Sequence, residues 1–246
     1  MDIDNWEMEK ILKLGISRRY EIDLTMDLLE EFALTLSKII DSRSKFAIAH
    51  SVGVSQVAYA IAARMGYSEE ECRKIRVAGL LHDLGKIAVA TEIIEKKERL
   101  SEAERADIRT HAYFTNLILG HISGLEGIVE CASGHHENHD GSGYPLNLVN
   151  DGISQEMDII AYADIFTALS EDRPYRKGMS TDRIIQILQD EFLTKHGEPV
   201  YQVILNHLDE LGSICKVSVQ DGIARFHCYQ NLADTQEQLI KERVNR

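Results

Sequence analysis

Apolar residues along much of this 246-residue chain recur every three to four positions, the period of a helix with one buried face. In "IDLTMDLLEEFALTLSKII", residues 22–40, Leu29, Phe32, Leu36 and Ile39 or Ile40 fall on one such face. The following stretch, "KFAIAHSVGVSQVAYAIAARMG", keeps the period through Phe46, Val54, Val57 and Ile61 and stops at Gly66, with His50 inside it. Ser68 with Glu71 and Ser101 with Glu104 have the spacing of capping boxes, in which hydroxyl and carboxylate satisfy N–H groups of a first turn. They open helices that run into "VAGLLHDLGK" and through His111. "GLEGIVECASGHH" predicts another helix ending at a histidine pair, and further helices are predicted over 154–170, 181–194 and 199–211. After Gly212 the texture changes. "ICKVSVQDGIARFHCY" alternates apolar and polar residues around Asp221-Gly222, which predicts a β-hairpin, and "NLADTQEQLIKERVNR" predicts a terminal amphipathic helix. The expectation is an all-α protein with a small C-terminal β-hairpin, packed on the helical body or on another subunit.

Composition narrows the function. Hydrophobic residues make up 44% and charged residues 27%, and three prolines leave long helices uninterrupted. A net charge of −13 argues against a DNA, RNA or membrane-surface binder, which needs clustered cations. Cys72, Cys131, Cys215 and Cys228 form no CxxC pair, as expected of reduced thiols. No stretch has the ~18 apolar residues of a membrane span, and "MDIDNWEMEK" is too acidic for a signal peptide, so the expected location is the cytoplasm.

Within the helical pattern some residues are out of place. His82 and Asp83 follow the apolar run "VAGLL", where a carboxylate is costly to bury unless it is paired or bound to a cation. Lys86 lies one turn on and can face the same pocket. Alone, His50 or His111 reads as a hydrogen-bonded core histidine, and an isolated HDxxK as a helix-end ion pair. Asp164, inside "IIAYADIFTAL", is harder to explain that way. His135 and His136 are adjacent and diverge by ~100° on a regular helix, yet can converge at a helix end. Five histidines and two aspartates from separate helices suit a pair of borderline divalent cations.

In order, His50, "HDLGK" at 82–86, His111, "HHENHDGSGYP" at 135–145, and Asp164 in "ADIFTALSEDRPYR" followed by Lys177 make the chain resemble the HD-GYP family, a branch of the HD phosphohydrolases. The resemblance covers roughly residues 45–190. It implies an HD-domain helical bundle, a bound metal cluster of iron with manganese as the alternative, and hydrolysis of cyclic dinucleotides, chiefly cyclic di-GMP; the expectation is two divalent metal ions and cleavage of cyclic di-GMP to linear pGpG, with further cleavage to GMP left open. By motif match, His50, His82, Asp83 and Asp164 hold one metal and Asp83, His111, His135 and His136 the other, with Asp83 as the bridge. Lys86 assists near the metals, and Arg173 and Arg176 contact substrate phosphate; with Lys177 these two arginines also make "DRPYRK" a local basic island able to grip phosphate oxygens. Gly143, Tyr144 and Pro145 shape a rim that the family also links to partner contact.

The chain departs from the pattern at three places. Phe46 stands where some members have a third-metal glutamate, Thr115 stands where a glycine is usual, and the prolines usual after the HD helix are missing from "IAVATEIIEKKERL". The organisation expected is an N-terminal helical segment at 1–40, an HD-GYP catalytic core at 41–195, and a C-terminal helix, hairpin and terminal helix at 196–246. About 40 residues precede the core, too few for a receiver domain, so regulation is expected from a partner or from a longer chain. Alternatives are the same chemistry on another nucleotide such as cyclic GMP-AMP, or a weakly active sensor or docking module. Expected partners are the cyclic dinucleotide, a second copy in a homodimer, and a diguanylate cyclase at the GYP face.

Overall fold

The computed structural model describes residues 24–44, 49–172 and 176–244, with side chains to 226. Phe46 and Arg173 lie outside the described residues. Helix α1 spans Met26–Asp41, α2 His50–Arg64 and α3 Glu69–Leu81. A 3₁₀ turn, Leu84–Ala88, and a short α4, Thr91–Ile94, lead to α5, Glu102–Leu119. Then come α6, Glu126–Gly134, and, beyond the glycine-rich loop, α7, Gln155–Ser170. Helix α8, Thr181–Ile187, runs into a π turn, and α9, Glu198–Asn206, precedes α10, Leu208–Val244. The described residues contain no strand; Asp140 and Val149 form an isolated antiparallel bridge.

Both expected capping boxes are formed. Ser68 and Ser101 each donate their backbone N–H to the glutamate three residues on, at 2.8 and 2.7 Å, and each hydroxyl accepts the return N–H. These caps start α3 and α5, the helices that deliver His82 and His111, and each contributes about 0.5–2 kcal/mol. Helix α2 is started from a distance. Asp41, at the end of α1, accepts from the Ser51 N–H at 3.1 Å and from its hydroxyl at 2.7 Å. Burial pushes the Asp41 carboxyl up to about 6.

The core gathers residues from α1 to α3 and α5 to α10, with Tyr162 and Phe166 of α7 fully enclosed at its centre. Helix α1 buries Leu29, Ala33 and Ile40 and packs Leu36 against the core, so the expected face holds with Ile40 as its last member, except that Phe32, like Ile39, faces outward. Glu30 of α1 pairs with Arg73 and Arg76, tying α1 to α3.

The expected C-terminal hairpin is absent, and Asp221-Gly222 lies inside the long α10. Leu211, Cys215 and Val219 recur every four residues and pack on the core, whereas Val217, apolar on the alternating pattern, is 56% exposed. Gly222 sits against α2: a side chain there would meet the Ala49 Cβ at 2.6 Å. This glycine marks close helix packing, and the period of 3.6 prevails because α10 has a helix to bury against. Cys72, Cys131 and Cys215 are free and buried. No helix among the described residues is long and apolar enough to cross a membrane.

Candidate metal centre

Three histidines are held by the same local device. His82 at the end of α3, His111 within α5 and His135 at the end of α6 each place Nδ1 against the carbonyl three residues earlier, Gly79, Ile108 and Ala132, at 2.8, 2.6 and 2.7 Å. A carbonyl only accepts, so Nδ1 carries the hydrogen and the lone pair of the neutral ring lies on Nε2. All three Nε2 atoms are buried without a hydrogen-bond partner. An orphaned buried acceptor costs about 1–3 kcal/mol, and three that converge form a site suited to a cation.

They do converge. Ring centroids lie 4.9 Å apart for His82 and His135 and 5.5 Å for His111 and His135. Asp83 stands between them, Oδ2 at 3.3 Å from the His82 Nε2 and Oδ1 at 3.5 Å from the His111 Nε2. The adjacent His135 and His136 also meet, at 4.0 Å between centroids, because α6 ends at Gly134 and the pair sits in the turn directly after it. His50 places Nε2 3.0 Å from the Asp164 Oδ1. Ligand atoms of His50, His82 and Asp164 lie within 4.8 Å of one another, as do those of His111, His135 and His136 and those of His82, Asp83 and His135. Seven side chains thus make two donor groups with Asp83 and the His82–His135 pair at their junction, a donor set that fits borderline divalent cations.

Charge is arranged to match. Burial would raise both carboxyls, but His82 and Lys86 hold Asp83, and His50 holds Asp164, well below the usual aspartate range. Burial pushes His135 well below its usual value and His136 down to about 3, which keeps both rings neutral at physiological pH. Burial acts on His50 too, but the Glu171 and Asp164 carboxylates outweigh it and hold His50 well above the usual value.

The frame around the cluster accounts for residues that sequence reading left idle. At Gly85 the 3₁₀ turn presses on α5 so closely that a Cβ would lie 1.9 Å from the His111 carbonyl oxygen. Thr115 fills the contact: its hydroxyl accepts the Gly85 N–H at 2.9 Å and donates to the His82 carbonyl at 3.1 Å. Arg43 clamps the other side, donating to the Lys86 and Val89 carbonyls and the Thr91 hydroxyl. Glu137 is buried, and its two oxygens accept the Leu146 and Leu148 N–H groups at 2.6 and 2.9 Å. It closes the glycine-rich loop, and only glycine fits at 143, where a Cβ would be 2.5 Å from the Glu137 Cα. Pro145 exits the loop, and Tyr144 lies 4.7 Å from the His136 ring. His139 and His196 bracket the buried Asp158 at 3.0 and 3.2 Å, pinning this loop to α7 and to the turn before α9. Glu137, His139 and His196 therefore have structural partners, signalled in sequence only by polar residues at buried positions.

Of the expected substrate contacts, Lys86 pairs with Asp83 at the edge of the cluster. Arg176 points elsewhere: its guanidinium donates to the Leu169 and Ala168 carbonyls at 3.0 and 2.6 Å, capping the C-terminus of α7. Lys177 is 88% exposed and pairs with Asp172. A cation not anticipated, Arg109 of α5, lies over the Tyr144 ring, 5.2 Å from its centroid.

Residues 35–199, which contain the whole cluster, match the HD domain. The chain belongs to the HD-domain family. The HD-GYP resemblance of its motifs agrees with that membership. Over 166 residues the HD domain is 37% identical to 3'3'-cGAMP-specific phosphodiesterase 3 of Vibrio cholerae, covering 68% of this chain and 36% of that one. It is 36% identical to the cyclic di-GMP phosphodiesterase response regulator RpfG of Xanthomonas campestris, over 62% of this chain and 41% of that one. The chain thus spans about two fifths of the length of these curated relatives. Among solved structures, the V. cholerae cyclic GMP-AMP phosphodiesterase V-cGAP3 superposes with a TM-score of 0.53 at 28% identity, over 84% of this chain and 47% of that one. Bd1817 of Bdellovibrio bacteriovorus shares the fold, with a TM-score of 0.56 at 13% identity over 82% and 78% of the two chains.

Proposed function

We propose that this HD domain is a metal-dependent phosphodiesterase of cyclic dinucleotides, hydrolysing cyclic di-GMP to linear pGpG and onward to GMP. The observation that carries the reading is the convergence of three partnerless, buried Nε2 atoms on Asp83, with His50, Asp164 and His136 completing two donor groups. In this reading His50, His82, Asp83 and Asp164 would hold one cation and Asp83, His111, His135 and His136 the other, with Asp83 common to both groups. Iron is the expected metal and manganese the alternative. When bound, such a pair lowers the pKa of a shared water and neutralises charge on the attacked phosphodiester.

The chain's own groups do the rest. The Nδ1 hydrogen bonds of His82, His111 and His135 fix the rings so that no proton stands between ligand and metal. Lys86, held by Asp83, adds positive charge beside the scissile phosphate. Tyr144 and Arg109 form a rim suited to a nucleotide base and a phosphate. Because the guanidinium of Arg176 is taken up by α7 carbonyls, its contribution is to hold the end of α7 in place.

A second reading, 3'3'-cGAMP as substrate, is favoured by the relative at 37% identity that carries that specificity in its name. A panel separates the two. Protein purified without oxygen and loaded with Fe(II) or Mn(II) is given cyclic di-GMP, 3'3'-cGAMP, cyclic di-AMP and nucleoside monophosphates, and products are resolved by chromatography. Turnover of cyclic di-GMP to pGpG at a higher kcat/KM than for the rest supports the first reading. Preference for 3'3'-cGAMP replaces it with the second, and no cleavage with both metals in place removes the enzyme reading.

A further inference from the structure

One buried carboxylate touches the cluster without belonging to either donor group. Glu171, directly after α7, has a side chain only 7% exposed, and its two oxygens lie 3.3 and 3.4 Å from the Nδ1 of His50. His82, His111 and His135 each take their Nδ1 partner from their own helix. The Nδ1 of His50 instead faces a carboxylate brought from 121 positions away in sequence.

The segment that carries Glu171 is fixed. The Glu171 N–H donates to the Thr167 carbonyl at 3.0 Å, and Arg176 grips the Ala168 and Leu169 carbonyls just before it. The Met179 N–H returns to the Leu169 carbonyl at 2.9 Å. Glycine at 178 permits this return, because a Cβ there would stand 2.1 Å from the Ser170 carbonyl oxygen. A carboxylate so anchored can hold an imidazole in one orientation, as a flexible surface glutamate cannot.

We propose that Glu171 is a positioning residue for His50: it accepts the Nδ1 hydrogen and so directs the Nε2 lone pair at the cation shared with His82 and Asp164. The inference rests on the metal reading above and assigns the end of α7 a task in it. A carboxylate partner makes an imidazole a better donor than a carbonyl partner does, and loss of such outer partners typically costs 10–100-fold in metal affinity. The donor group containing His50 therefore depends on Glu171, and the group of His111, His135 and His136 does not.

The test uses the full chain and Zn(II) as probe. Zn(II) binding is followed by calorimetry for the wild type, Glu171→Ala and Glu171→Gln, with thermal melts of the metal-free proteins as a check on folding. Two-bond ¹H–¹⁵N spectra of histidine-labelled, Zn(II)-loaded protein report which nitrogen of each ring carries the hydrogen, with His50→Gln assigning the His50 signals. Glu171→Ala should weaken one site by about 10- to 100-fold, leave the other within about twofold, and change the His50 pattern alone. Glu171→Gln, whose amide oxygen still accepts from Nδ1, should recover most of the affinity and the wild-type pattern. Equal losses at both sites, no loss, or a Gln variant as weak as Ala overturns the proposal. If wild type binds two Zn(II) and these results hold, but the Fe(II) protein cleaves no cyclic dinucleotide, the phosphodiesterase reading fails and the role of Glu171 stands. If wild type binds no Zn(II), both fall.

Discussion

Thr115 offers the sharpest test of how the 3₁₀ turn is fastened to α5. Its fully buried hydroxyl accepts the Gly85 N–H and donates to the His82 carbonyl, so one side chain of α5 holds the backbone on both sides of Asp83. Thr115→Val keeps the volume and removes both bonds. The orphaned Gly85 N–H costs about 1–3 kcal/mol, with a smaller addition from the His82 carbonyl, whose second lone pair is less demanding. Thr115→Ser keeps the hydroxyl and loses one methyl group, worth about 1 kcal/mol. Urea unfolding of the metal-free proteins measures both. The valine variant should lose more stability than the serine variant and bind metal more weakly, since the turn is freed next to His82 and Asp83. A loss below about 0.5 kcal/mol for Thr115→Val, or a larger loss for Thr115→Ser, refutes the bridging role.

Three further outcomes follow from the same geometry. Gly85→Ala places a Cβ 1.9 Å from the His111 carbonyl oxygen, so the turn must move by more than 1 Å; turnover should fall about 100-fold, and a rate within threefold of wild type contradicts the close approach. Glu137→Ala removes the acceptor for the Leu146 and Leu148 N–H groups and should raise hydrogen exchange across 143–149 while leaving α2 and α3 unchanged. The Glu104 carboxylate, held down to about 2 by Lys96 and the Ser101 cap, contributes stability that is fully present above its ordinary 4.5 and is lost as pH falls toward 2. Glu104→Gln should therefore flatten the acid side of the stability–pH curve between those values, measured by thermal melts.

What the sequence discloses divides along physical lines. Histidines and aspartates set in apolar helices are visible as residue types, because a polar group at a buried period needs a reason. Taken singly, His50 and His111 still read as core histidines; it was their ordered resemblance to the HD-GYP motifs that named the residues brought together around Asp83 before their geometry was known. Two helix starts were equally legible, since Ser68–Glu71 and Ser101–Glu104 interact only locally, whereas the start of α2 depends on Asp41 ten residues away. Roles set by distant partners were hidden. Arg176 reads as a phosphate-binding cation until the α7 carbonyls claim it, and Glu137 reads as idle until a loop folds over it. The Asp221-Gly222 turn signal was overridden for the same reason: α10 had a neighbour in α2, and alternation over a few residues carries no information about that neighbour.

In the proposed function this cluster holds two divalent cations through a shared Asp83 and uses them on a cyclic dinucleotide. Measuring metal content and cyclic di-GMP turnover in the same anaerobic samples of wild type, Asp83→Ala and His50→Ala tests this most directly. Wild type should carry about two metals per chain and turn over the substrate, Asp83→Ala should lose both metals and all turnover, and His50→Ala should lose one metal. An Asp83→Ala protein that folds, keeps both metals and still cleaves the substrate would contradict the proposed function.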